Sequence, residues 1–99
     1  MALSDDARVA LRVSSEALDP EVDALVAAAL ADLRRVGVPE ALLDEADPDP
    51  MVRMAVLMWC KSRFGYDNDE APRFEEAYRR TVVDLMNSPS YTGVADEVE

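Results

Sequence analysis

Histidine is absent from this 99-residue chain. That excludes a histidine-based catalytic triad and any histidine metal site. One cysteine excludes an internal disulfide, and on an apolar helix it reads as a small buried hydrophobe rather than a reactive thiol. Three glycines form neither a phosphate-cradling loop nor a dinucleotide-binding fingerprint. No apolar run approaches the roughly 20 residues a membrane span needs. The first residues, MALSDDARVALRV, lack the basic start and apolar core of a secretion signal. Together these traits suit a cytoplasmic protein.

Positive charge is scarce. Ten basic residues, nine of them arginine, face 21 acids, for a net charge of −11. Ordinary nucleic-acid binding needs a cationic face that displaces counterions, so this balance argues against it, although a local basic patch is compatible with it. The acidity fits solubility, a surface that should not stick to DNA, or a surface for a basic partner. Carboxylates are plentiful, but no spacing forces two into an acid/base pair. An enzyme is not expected, nor any cofactor or metal.

What is present is helical patterning. The apolar fraction of 49% is enough for one core in one domain, with 3–87 ordered and 88–99 a tail. Residues 54–60 are seven apolar positions in a row, which cover every side of a helix and mark a central element. A buried strand is the competing reading of a short apolar run. Met, Ala, Leu and Lys, with a pattern reaching Phe64, favour helix. Asp49 suits the N-cap, Pro50 the first helical position, and Gly65 a left-handed C-cap. Lys61 and Arg63 in the last turns suit the helix dipole. Leu57 and Cys60 fall between Arg53 and Lys61 on the wheel, so the least buried side of this helix still carries apolar atoms. Another helix of the chain or a neighbouring subunit would cover them.

Elsewhere, Ser4 is expected to cap a helix over 5–13 whose stripe is Val9 and Val13, with a connection at 14–18. Asp19 as N-cap, then Pro20 and Glu21, open a second helix. Its stripe is Val22, Leu25, Val26, Ala29, Leu33 and Val36, with Leu30 at the edge and Gly37 as C-cap. Residues 38–50 form an acidic connection with one helical turn that brings Leu42 or Leu43 into the core. Asp44, Glu45, Asp47 and Asp49 lack the glycine and terminal glutamate of a calcium loop. Asn68 or Asp69 would cap a fourth helix carrying Phe74, Tyr78, Thr81 and Leu85 with Val82 beside them. Glu75–Arg79 and Glu76–Arg80 are favourable i, i+4 pairs on it. Asn87-Ser88-Pro89 ends that helix. The acidic tail is aperiodic and expected to be flexible, with Tyr91 its large anchor. The fold expected is all-α: a small bundle of about four helices around a buried central third helix.

At Lys61-Ser62-Arg63-Phe64-Gly65-Tyr66-Asp67-Asn68 the sequence resembles the small head–tail connector proteins of long-tailed bacteriophages, also called head-completion or DNA-packaging adaptor proteins. The matching residues are Asp49-Pro50, Lys61, Phe64 to Asn68, Arg73-Phe74 and Tyr78. Helix order and length agree over about residues 3–92, with the specific part between 49 and 78. The resemblance implies a virion protein that assembles into a ring beneath the capsid portal, made in the host cytoplasm. Such a ring would extend the DNA channel, help retain packaged DNA and dock tail-completion proteins. DNA would pass without sequence-specific contact, and no membrane would be involved. Leu57, Cys60, Tyr66, Asp67, Asn68, Arg73 and Tyr91 are the interface residues this reading nominates. The competing expectation is an acidic regulatory module, antitoxin-like or a DNA mimic, that occupies a basic partner.

Overall fold

A computed structural model describes residues 3–13, 15–64 and 69–87. Four α-helices account for most of them: α1 (Leu3–Leu11), α2 (Asp19–Val36), α3 (Pro50–Arg63) and α4 (Ala71–Asn87), with single 3-10 turns at Glu16–Leu18 and Glu40–Leu42. Helix α3 packs against α1, α2 and, most extensively, α4. The expected all-α bundle with a central third helix is therefore the fold. Val52, Ala55, Val56 and Cys60 form the buried side of α3 and meet Val22, Val26, Ala29, Leu30 and Leu33 of α2 and Tyr78 and Leu85 of α4 in one core. The apolar run does not bury α3 all round, since Met54 is 52% exposed. The glycine, tyrosine, aspartate and asparagine of the 65–68 stretch, and the tail beyond 87, lie outside the described residues.

The start of α3 follows its sequence. The Asp49 carboxylate accepts from the Met51 N–H at 3.0 Å, and Pro50 occupies the first turn, where its missing N–H costs nothing. The helix closes at Arg63, with Phe64 extended and its N–H bonded to the Cys60 carbonyl. The expected cap, Gly65, lies outside the described residues.

The end of α2 is a Schellman motif. Gly37 takes φ +110°, its N–H reaches the Arg34 carbonyl at 3.1 Å, and the Val38 N–H reaches the Leu33 carbonyl at 3.0 Å. Val38 and Leu33 are both buried, which supplies the apolar contact of the motif. Leu43 also enters the core beyond the 3-10 turn, as expected of this segment.

Helix α1 departs from expectation. It begins at Leu3, so Ser4 lies inside it and does not cap it. The Ser4 hydroxyl instead donates to Glu45 at 2.8 Å, and the Leu3 N–H donates to the Glu45 carbonyl at 2.9 Å. A long-range partner thus satisfies the helix start. The buried stripe is Leu3 and Ala7, while Val9 is 71% exposed. Val13 lies beyond the helix end, because α1 closes with the same pair of bonds as α2: Arg12 N–H to Val9 and Val13 N–H to Arg8. The left-handed position is Arg12, at φ 60°.

Two smaller corrections concern caps. Helix α2 starts at Asp19, after Leu18, with no side-chain cap; Ser15 caps the preceding turn through the Ala17 N–H at 3.2 Å. Asp19 faces α1, 3.6 Å from Arg8, which also pairs with Asp5. At α4 the first helical bond runs from the Phe74 N–H to the Glu70 carbonyl, which places the cap position at Glu70 rather than Asp69.

The two left-handed caps make a matched test. Gly37→Ala should cost about 1–2 kcal/mol, the left-handed penalty of a β-carbon. The added carbon would lie 3.5 Å from Met86 Cε, an ordinary contact, so the cost is one of backbone conformation. Arg12→Gly should move the other way, by up to about 1 kcal/mol after the entropy glycine adds to the unfolded chain. Urea-unfolding midpoints at unchanged slope would read both.

Candidate functional site

The residues expected at an interface do not converge. Cys60 is fully buried within the protomer, so the chain's own helices cover it. Leu57 is half-buried on α3, and the open apolar side chain of that face is Met54, one turn earlier. Arg73 is exposed in the first turn of α4, paired with Glu70 at 2.8 Å and lying over the Phe74 ring, which Lys61 also approaches. Tyr66, Asp67, Asn68 and Tyr91 lie outside the described residues.

A different set of residues does converge. Helices α2, α3 and α4 border an open cleft of about 470 Å³. Trp59 of α3 forms its floor and meets Tyr78 of α4 edge to face, 5.1 Å between centroids at 69°. The Tyr78 hydroxyl donates to Asp32 of α2 at 2.6 Å. Arg35 donates to the other Asp32 oxygen at 2.7 Å, and Arg79 pairs with Glu75 at 3.0 Å. Val36, Val82 and Val83 supply apolar walls. The Arg63 guanidinium lies 3.6 Å from the centre of the Trp59 ring, with the Ser62 hydroxyl as its polar partner and no carboxylate within ion-pair distance among the described residues.

Burial raises the Asp32 carboxyl, but the hydrogen bonds from Tyr78 and Arg35 and the charges of Arg35 and Arg63 outweigh it, leaving it below its ordinary value of 3.8. Burial first, and then Asp32, push the Tyr78 hydroxyl far up, so Tyr78 remains a donor. A carboxyl lowered on folding stabilises the folded state above its unfolded value, and that contribution is lost as pH falls through the folded one. Asp32→Asn should therefore flatten the loss of stability between about pH 5 and pH 3. Urea unfolding of both proteins across that range checks it.

Asp32, Arg35 and Tyr78 are already bonded to one another, as are Glu75 and Arg79, while the Trp59 indole N–H is buried with no hydrogen-bond partner among the described residues. The arrangement locks three helices together and leaves a cationic, apolar-walled opening suited to recognition. No three His, Cys, Asp or Glu side chains gather as metal ligands among the described residues.

The sequence expectation has Trp59 inside the apolar run of α3 and Tyr78 on the stripe of α4, and gives Asp32 and Arg35 of α2 no role. Their i, i+3 spacing beside the buried Leu33 is the signal that could have marked a polar rim.

Charge is unevenly distributed along the chain. Residues 1–49 carry twelve acids and four bases, residues 50–87 six of each, and residues 88–99 three acids and no base. No helix of the described residues is long and apolar enough to cross a membrane.

The sequence matches the family model described as phage connector protein over residues 5–92. No curated protein and no solved structure matches.

Proposed function

The chain belongs to the phage connector protein family, and from that premise we propose that it forms a ring between the capsid portal and the tail. The family match, spanning all four helices, carries this reading. The ring extends the DNA channel, helps retain packaged DNA and docks the tail-completion protein. The family is structural, and the protomer acts by shape, charge and contact, with no bond made or broken.

The physical features support this role. Each protomer adds a charge of −11, so a ring multiplies it. An acidic channel wall repels phosphate and lets DNA slide without condensing on it. A compact helical protomer provides a rigid wall. Copies in a ring meet head to tail, through two different surfaces. Leu57 with the neighbouring Met54, and Arg73 in the first turn of α4, lie in the described parts of those surfaces. Tyr66, Asp67, Asn68 and Tyr91 complete them.

Removing the gene from its phage tests the role. Heads should fill with DNA, fail to acquire tails and lose their DNA to nuclease, and the wild-type gene supplied in trans should restore infectious particles. Normal yields of tailed, nuclease-resistant particles without it would contradict the reading.

A further inference from the structure

A ring built from copies of charge −11 needs some place where positive meets negative, or the copies repel. Head-to-tail contact also needs two unlike surfaces on each copy. The chain carries one of each kind. The α2–α3–α4 cleft presents Arg35, Arg63 and Arg79 against two carboxylates, Asp32 and Glu75. Among the described residues, Arg63 has no carboxylate within ion-pair distance, whereas Arg35 pairs with Asp32 and Arg79 with Glu75. Val83 lines the cleft and is 55% exposed, and Met86, one turn further along α4, is 37% exposed, so the end of α4 offers an apolar seat beside the cleft. Residues 88–99 carry the matching chemistry: Tyr91, Val94 and Val98 among Asp96, Glu97 and Glu99, with no base.

We propose that this cleft binds the C-terminal segment, residues 88–99, of a second copy. The inference rests on the ring reading and names its contact. Twelve residues in extended form reach roughly 40 Å, enough to pass from the end of α4 to an adjacent protomer. Arg63 takes a carboxylate of the incoming segment while its guanidinium stays stacked on Trp59. Tyr91 and the valines cover Val83 and Met86. The contact is polar at its rim and salt-sensitive, as exposed ion pairs are.

Trp59 is the only tryptophan, so its emission reports the cleft. Emission of the full chain is followed across a dilution series at low and high salt. Three variants accompany it: Arg63→Glu, the tail triple D96K/E97K/E99K, and the two combined. The tail triple leaves residues 3–87 unchanged, so it tests the contact even where Arg63→Glu disturbs folding. Wild-type emission should change with concentration and lose that change in high salt. Each variant alone should raise the midpoint concentration at least about tenfold, and their combination should restore it. An emission difference between wild type and tail triple that is independent of concentration would place the segment on its own protomer and overturn the proposal. No concentration dependence in the wild type would also overturn it. Rings assembled on a portal by the tail triple as readily as by wild type would overturn the contact while leaving the ring reading intact. Absence of rings in every case, with the charge-swap rescue present, would instead fault the ring reading alone.

Discussion

Tyr78→Ala is expected to lower the free energy of unfolding by about 3–5 kcal/mol, the range for deleting a large buried aromatic side chain. Tyr78 is 6% exposed and joins three helices: its backbone is in α4, its ring meets Trp59 of α3, and its hydroxyl bonds Asp32 of α2. Small domains hold only about 5–15 kcal/mol in total, so this one change should remove a large share. Tyr78→Phe separates the contributions. It keeps the ring contact and drops the hydrogen bond, and should cost about 1–2 kcal/mol because Asp32 keeps Arg35 as a partner. Urea unfolding followed by circular dichroism measures both. An alanine variant within about 1 kcal/mol of wild type would show that the three-helix joint does not hold the bundle together.

The second large effect concerns Cys60. Its thiol is fully buried, and burial pushes its pKa up to about 11, with Arg63 pulling weakly the other way. Thiolate is the reactive form, so a rise of two pH units from the ordinary value of 9.0 leaves about a hundredfold less of it near pH 8. Steric cover adds to that. Reaction with an aromatic disulfide reagent should be at least about a hundredfold slower in the folded protomer than in the urea-unfolded chain. The outcome bears on assembly. Protection already present in the dilute protomer means that the bundle itself covers Cys60. Labelling at the unfolded rate in the protomer, with protection only after assembly, would return Cys60 to the subunit interface.

Much of the fold was legible because local signals agreed with one another. Asp49 and Pro50 at one helix start, Gly37 at another's end, and the 3.6-residue stripes of α2 and α4 are statements about single turns of chain. The failures share a different cause. The start of α1 is satisfied by Glu45, more than forty residues away, and nothing near Ser4 announces that. Its end is a left-handed Arg12, where the usual glycine signal is missing. The stripe at Val9 and Val13 lost to Leu3 and Ala7 because tertiary packing, not spacing, chose the face. Cys60 was placed toward an open side of α3 by a wheel on which arginine and lysine mark solvent. Arg53 does reach outward, toward Asp6 of α1 at 2.9 Å, while Lys61 packs over Phe74 of α4. Lys61 thus marks a helix-packing side, its stem lying along apolar surface as long cationic side chains do.

The cleft was the least legible feature. Asp32, Trp59 and Tyr78 come from three helices, and no periodicity within one helix brings them together. Tyr78 is core, as the stripe of α4 predicts, whereas Trp59 is only partly buried, and the polar edges of the pair with the arginines around them form an opening only once α2 and α4 flank α3. The family, by contrast, rests on a local motif around the end of α3 and on helix order, which one chain displays without its fold.

The ring is the central claim, and the mass of the assembled protein tests it most directly. The full chain would be mixed with its cognate portal and passed over a sizing column with light scattering, alongside each component alone. The account predicts a discrete complex in which the copies of this chain match the portal's rotational order, seen as a closed ring by electron microscopy. A chain that stays monomeric or dimeric at every concentration, with and without the portal, would contradict it.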